Sequence, residues 1–350
     1  MVDPINSNSQ NCLYIRRLRR PASEKRKGST QPNLNKENGE VSIKKILQTP
    51  CVINLNNEKH FIKKYIEQPL ATPNISSNAW GVFEGSNAEV IYGKNYNIRK
   101  EIASLTKIMT CYTILQLSKV MLLNIKTTYI TITKKAALIN GTKAELEKGD
   151  KISIYDLLYG LMLPSGNDAA IALADYFSKL IYLKLNPTTS TFPSQISKYF
   201  IFEMNKNATS LGMKRTTYSN PHGLADSDNK STAQDIAILA SEAMKDENFR
   251  NIVKTSEYKA QGFNYLGEKK EFVWTNLNLL LESGFNGIKT GTTPTAGNCL
   301  CSSIEKNGKS FIIVVLKSKS PKSRFSETKK ILNFITKIYF NDSHLKNNNS

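Results

Sequence analysis

The chain has 350 residues, 40 % of them apolar and 22 % charged, with a formal net charge of +19. That length holds roughly two domains, or one large domain and a tail, and excludes a peptide-sized or wholly disordered protein. Five cysteines, Cys12, Cys51, Cys111, Cys299 and Cys301, make no disulfide framework in so long a chain.

Residues 1–66 read as a disordered basic tail. Up to residue 64 there are thirteen Lys and Arg against five Asp and Glu, with few aromatics and many Asn, Ser and Gln, so this stretch cannot bury enough surface to fold alone. Its densest part, Arg16-Arg17-Leu18-Arg19-Arg20 with Lys25-Arg26-Lys27, reads first as a solvated arm and second as a targeting signal or a contact for an anionic surface. Without interleaved aromatics it does not make nucleic acid an expected partner. The first ten residues lack the apolar stretch of a secretory signal. Phe311–Leu316, the longest purely apolar run, has six residues against the roughly 20 needed to span a bilayer. No compartment is therefore assigned, the default being a cytoplasmic or non-classically targeted protein.

From about Ala79 the texture changes, and a folded region is expected over 67–340 with a short disordered end at 341–350. Trp80–Phe83 and Val90–Tyr92 flank a turn-like Glu84–Ala88 and predict a hairpin. Helices follow at 102–120, 154–163, 168–183, 195–211 and 232–245, where apolar residues recur nearer a period of 3.6 than of 2. Lys184–Pro193, with two prolines and a Thr/Ser cluster, reads as a surface loop. Strands return at 284–292, 298–304 and 310–317, before an amphipathic helix from Arg324 to Phe340. Strands at both ends of a helical middle predict an α/β fold: a mainly antiparallel sheet flanked by helices, with an inserted helical subdomain.

Three short patterns carry chemistry. In Ser104-Leu-Thr-Lys107, at the head of a helix, positions i and i+3 share a face, so an amine sits within reach of a hydroxyl. Burial and the positive end of the helix dipole both favour the neutral amine that a base requires. Alone, any amphipathic helix can show this spacing. Pro164-Ser165-Gly166-Asn167 offers a hydroxyl and an amide from a turn, or equally a helix cap. Gly287-Ile-Lys289-Thr290-Gly291-Thr292-Thr293 lines one strand with a cation and hydroxyls suited to a carboxylate, or marks an edge-strand bulge with a gatekeeping lysine. His60, His222 and His344 are too far apart for zinc-ligand spacing, so no metal is expected.

In this order the three patterns are those of penicillin-binding proteins and class A β-lactamases. The chain resembles that β-lactamase/transpeptidase-like superfamily, and within it the serine D-alanyl-D-alanine carboxypeptidases of the low-molecular-weight penicillin-binding type, peptidase family S11. The likeness runs from about Ala79 to Phe340 and takes in Gly149-Asp150, Asp168-Ala-Ala170, Met204-Asn205, Leu211-Gly-Met213, Asn220-Pro-His-Gly-Leu224, Asn276-Leu277, Ala296-Gly297 and Arg324-Phe325. It implies a peptide substrate ending in D-Ala-D-Ala, β-lactams as inhibitors, an acyl-enzyme and no cofactor. By the resemblance Ser104 attacks the carbonyl of the penultimate D-alanine and Lys107 is the base. Ser165 and Asn167 shuttle protons and hold the substrate, and Lys289, Thr290, Gly291 and Thr292 receive its end. The backbone N–H groups of Ser104 and Thr292 form the oxyanion hole. Lys107 is expected neutral and Lys289 charged, in environments that push their pKa values apart.

The pattern departs from bacterial relatives in two respects: neither their β-rich C-terminal domain with its membrane anchor nor their signal peptide is legible. Two other readings compete. A β-lactamase-like hydrolase needs a deacylation base, for which Glu203 in Glu203-Met-Asn-Lys-Asn207 has a coincidental spacing. A non-catalytic binder of D-amino-acid peptides is opposed by the intact Ser104, Lys107, Ser165, Asn167 and Lys289.

Overall fold

The computed structural model describes residues 73–189 and 191–340, with side chains to 337. The tail expected over 1–66, the start of the folded region at 67–72 and the end at 341–350 lie outside the described residues. The chain begins with β1 (Ala79–Glu84), β2 (Val90–Lys94) and β3 (Lys100–Glu101), then a 3₁₀ turn (Ala103–Leu105) leading into α1 (Thr106–Val120). The middle holds β4 (Tyr129–Thr131), α2 (Lys134–Ala137), β5 (Lys151–Ser153), α3 (Ile154–Met162), α4 (Asn167–Leu185), α5 (Lys198–Ser210) and β6 (Lys230–Ser231). There follow α6 (Ala233–Ala243), α7 (Glu247–Lys254), β7 (Glu257–Phe263) and β8 (Lys269–Thr275). The last elements are β9 (Ile288–Thr293), β10 (Gly297–Lys306), β11 (Lys309–Ser318) and α8 (Pro321–Phe340). No helix among the described residues is long and apolar enough to cross a membrane.

Five strands form an antiparallel sheet in the order β2-β1-β11-β10-β9. Its centre explains the apolar run near the end of the sequence. Along β11, Phe311, Ile313 and Val315 face Ile331, Leu332 and Ile335 of α8, while Ile312, Val314 and Leu316 join the larger core that the helices of the middle region build. Period-2 alternation thus puts apolar residues on both faces of a covered strand, each such side chain contributing roughly 1.5–3 kcal/mol of burial. The β10–β11 turn is Asn307-Gly308 with φ of 48° and 73°, the left-handed pair that a tight hairpin favours.

The helices start where capping residues stop the preceding strand or loop. Ser153, Thr232 and Asp246 each accept a hydrogen bond from the backbone N–H three residues on, at the heads of α3, α6 and α7. The expected hairpin, helices and last three strands all form. The inserted region, however, is not helical throughout: β4, β5, β7 and β8 make a second, four-stranded sheet that the pattern did not disclose. In β7 and β8 only one face packs, through Ala260, Phe272 and Trp274, and the charged residues opposite thin out the apolar periodicity.

Candidate active site

Ser104 sits in the 3₁₀ turn ahead of α1, and the turn enters with Ala103 in the left-handed region at φ 48°. α1 is buried along most of its length, its polar Thr106, Lys107, Thr110, Thr113 and Ser118 included, so it is a rigid core helix. Two glycines press against the turn. A Cβ on Gly291 of β9 would lie 2.9 Å from the Ser104 N and 3.1 Å from the Ile102 O. At Gly223, where φ is +84°, a Cβ would run into the carbonyl of Ala103 and lie 2.9 Å from the Ser104 N. Only glycine lets strand and loop approach Ser104 this closely.

Lys107 is fully buried, and its Nζ lies 3.1 Å from the Ser104 Oγ, 2.7 Å from the Asn167 Oδ1 and 2.7 Å from the carbonyl oxygen of His222. Two of these partners are carbonyl oxygens that can only accept. A neutral amine has two N–H bonds for them and one lone pair left, and the remaining direction is that of the serine hydroxyl. Burial, and then the positive charge of Lys289, drive Lys107 well below its ordinary pKa of 10.5, against an opposing pull from Asp168. Burial and the Lys289 charge thus favour the neutral amine, which lies 3.1 Å from the Ser104 hydroxyl.

The second pattern forms the turn between α3 and α4. Ser165 is left-handed at φ 65°, and its buried Oγ has no hydrogen-bond partner among the described residues. Asn167 is fixed by Nδ2 donation to the Asn140 O (2.7 Å) and by its own backbone N–H to the Thr142 O (2.8 Å). The loop that supplies these carbonyls is anchored by the buried Asp168 carboxylate, which accepts from the N–H groups of Ala144 (2.9 Å) and Leu146 (3.1 Å). His222 makes a structural hydrogen bond, its Nδ1 accepting from the Leu224 N–H at 3.1 Å. Burial above all lowers its pKa to about 4.

The third pattern lies on β9, at the edge of the five-stranded sheet. Lys289 is 1 % exposed, and its side chain makes no hydrogen bond among the described residues. Burial, and then the charge of Arg324, lower its pKa to about 7. Both lysines are therefore depressed, rather than pushed apart, because both are desolvated and each has a cation nearby. Thr290 is buried and Thr292 exposed, so the two hydroxyls differ in access to the site. Cys299 and Cys301 on β10 are buried small residues.

Arg324 was not among the expected site residues, yet its Nη1 donates to the Thr292 Oγ1 (3.0 Å) and the Gly291 O (3.1 Å). A signal for it existed: Arg324, Thr328, Ile331 and Ile335 fall on the buried stripe of α8, where a cation is out of place unless it has a task. The Glu203 carboxylate pairs with Lys206 at 3.1 Å on α5, and no hydrogen bond joins it to Ser104, Lys107, Ser165 or Asn167.

A family model described as D-alanyl-D-alanine carboxypeptidase, peptidase S11, matches residues 65–179 and 193–320. A D-alanyl-D-alanine carboxypeptidase of Streptomyces sp. strain K15 is 35 % identical over 271 residues, covering 75 % of this chain and 88 % of that one. DacF of Bacillus subtilis is 32 % identical over 265 residues (74 % and 61 %), and DacC of Escherichia coli 34 % over 277 (76 % and 62 %). The chain thus spans about three fifths of those two relatives. The crystal structure of the Streptomyces K15 DD-transpeptidase superposes with a TM-score of 0.69 at 35 % identity, over 76 % of this chain and 98 % of that one. That of the carboxypeptidase DacD from Francisella tularensis does so at 0.64 and 27 %, over 75 % and 71 %.

Proposed function

The chain belongs to the D-alanyl-D-alanine carboxypeptidase family, peptidase S11, and on that premise we propose that it is a serine-type D-alanyl-D-alanine carboxypeptidase acting through an acyl-enzyme on Ser104. The observation that carries this reading is the place of the Lys107 Nζ, 2.7 Å from two oxygens that can only accept, the Asn167 Oδ1 and the His222 O, and 3.1 Å from the Ser104 Oγ, so that an amine neutral by desolvation turns its lone pair to the hydroxyl.

Lys107 takes the Ser104 proton as the Oγ attacks the carbonyl of the penultimate D-alanine. The oxyanion that forms is received by the backbone N–H groups of Ser104 and Thr292, which the glycine at 291 allows to converge. Ser165, whose hydroxyl has no partner among the described residues, relays the proton to the leaving amine of the terminal D-alanine. Asn167 keeps Lys107 aligned and holds the substrate backbone. Lys289, Thr290 and Thr292, with Arg324 behind them, take the terminal carboxylate. A peptide ending in D-Ala-D-Ala is the substrate, and a β-lactam, which imitates its acyl bond, is the inhibitor. Water then hydrolyses the ester.

Incubation of the full chain with a fluorescent penicillin, followed by denaturing gel analysis and mass mapping, tests the assignment. One adduct at Ser104, absent from Ser104→Ala, is expected; labelling that survives this substitution would refute it. Deacylation should be slow, since Glu203 is engaged with Lys206 and no carboxylate among the described residues hydrogen-bonds to Ser104. Rapid penicillin turnover would favour the β-lactamase-like alternative.

A further inference from the structure

Glu327 is a buried carboxylate in α8 with no basic partner among the described residues. Its Oε1 accepts from the backbone N–H of Ser76 (2.8 Å) and from the Ser76 Oγ (2.5 Å). Its Oε2 accepts from the Ser77 Oγ (2.5 Å) and the Ser318 Oγ (3.0 Å). Burial opposes the charge, but these hydrogen bonds outweigh it and hold the carboxylate below its ordinary pKa. One residue thus ties α8 to the segment leading into β1 and to the last residue of β11.

Two routes lead from this clamp to the Thr292 hydroxyl. Arg324 precedes Glu327 by three residues on the same face of the helix, and its Nη1 donates to the Thr292 Oγ1 at 3.0 Å. On the other side the Asn298 Nδ2 donates to the Ser318 O (3.1 Å), and its Oδ1 lies 3.4 Å from the Thr292 Oγ1. The chain Glu327, Arg324, Thr292, Asn298, Ser318 and back to Glu327 closes on itself. The carboxylate thus anchors the helix that carries Arg324 and the residue, Ser318, whose carbonyl holds Asn298, so that both partners of the Thr292 hydroxyl sit on backbone it ties down. Resting on the carboxypeptidase reading above, we infer that Glu327 is a positioning residue, which fixes Arg324 and Thr292 in the register needed to capture the substrate's terminal carboxylate.

A residue that served the fold alone would lower every activity together. A positioning residue for the carboxylate end should discriminate between an acyl-D-Ala-D-Ala dipeptide and an acyl-D-alanine methyl ester, which has no carboxylate. Glu327→Ala in the full chain should lower kcat/KM for the dipeptide roughly 10- to 100-fold, mainly through KM, because small displacements at a binding group are costly. The methyl ester should change less than about threefold. Glu327→Gln should restore most of the loss, since its Oε1 still accepts and the serine hydroxyls can turn to accept from Nε2. The double variant Ser76→Ala, Ser77→Ala removes two of the donors and serves where Glu327→Ala does not fold; it should show the same selectivity at roughly 3- to 10-fold. Equal losses on both substrates, or a folded variant with no loss on either, would overturn the inference while leaving β-lactam labelling of Ser104 intact. A parent chain that cleaves neither substrate and takes no label would sink the carboxypeptidase reading itself.

Discussion

Lys289→Met should make the protein more stable and worse at its task. The parent holds a lysine that ordinarily titrates at 10.5 down at about 7, first by burial and then by the charge of Arg324. At about 1.4 kcal/mol per decade, that difference corresponds to an upper limit of about 4–5 kcal/mol of destabilisation. Methionine has a similar length, carries no charge and suits a buried slot. Relaxation around the parent lysine takes back part of the penalty, so a gain of roughly 2–4 kcal/mol in equilibrium urea unfolding at pH 6.5 is expected. The pH dependence fixes the cause. Because the folded value lies below the unfolded one, the unfolded chain binds the extra proton, and the penalty stands in full below about pH 7. It fades as pH rises from about 7 towards 10.5, where the unfolded chain also loses its proton. The advantage of Lys289→Met should therefore shrink between pH 6.5 and 9.5, while cleavage of carboxylate substrates is lost at both. A variant no more stable than the parent at pH 6.5, or one with the same gain at both pH values, would refute the reasoning.

Lys107→Arg should reduce Ser104 acylation at least about 1000-fold, measured by the rate of penicillin labelling, since a guanidinium cannot serve as a base at neutral pH; Lys289→Arg, which keeps the charge, should retain far more. Gly223→Ala should both lower the melting temperature and slow labelling about 100-fold, because its Cβ would intrude on the Ala103 carbonyl from a backbone at φ +84°. In pH profiles, kcat/KM for the dipeptide should rise as Lys107 loses its proton and fall as Lys289 loses its own from about pH 7 upward. The methyl ester should lack that falling limb, and a fall shared by both substrates would dissociate it from Lys289.

The three motifs were legible because each is local: a helix turn puts Ser104 beside Lys107, a short turn presents Ser165 and Asn167, and a strand displays Lys289 and Thr292. What holds them together was not, because the backbone is sequence-blind. The His222 carbonyl that aligns Lys107 and the Asn140 carbonyl that fixes Asn167 belong to no residue type. Arg324 was legible as a cation on the apolar stripe of α8 but without a task, whereas Glu327 was hidden, its burial emerging only when the helix meets the sheet. The second sheet escaped for want of apolar alternation in Lys269–Thr275, where Phe272 and Trp274 are buried between exposed neighbours. The lysine charges show the reverse case: the residue types argued for opposite environments, and shared desolvation gave both the same direction.

The order of strands in the five-stranded sheet also dictates when the protein can be made whole. β1 pairs with β11, Ala79 opposite Leu316, so one of the earliest strands waits for one of the latest. Closing a loop of that length costs about 5 kcal/mol by the logarithmic law, before any contact within the sheet repays it. At ribosomal rates of roughly 5–20 residues per second, β1 spends about 10–50 s without its central neighbour. During synthesis Ala79, Val82 and Phe83, which the finished fold excludes fully from water, have only the short β2 hairpin for company. A nascent chain halted before residue 309 would therefore leave the β11 edge of β1 unpaired, open to proteases and to other unpaired strands.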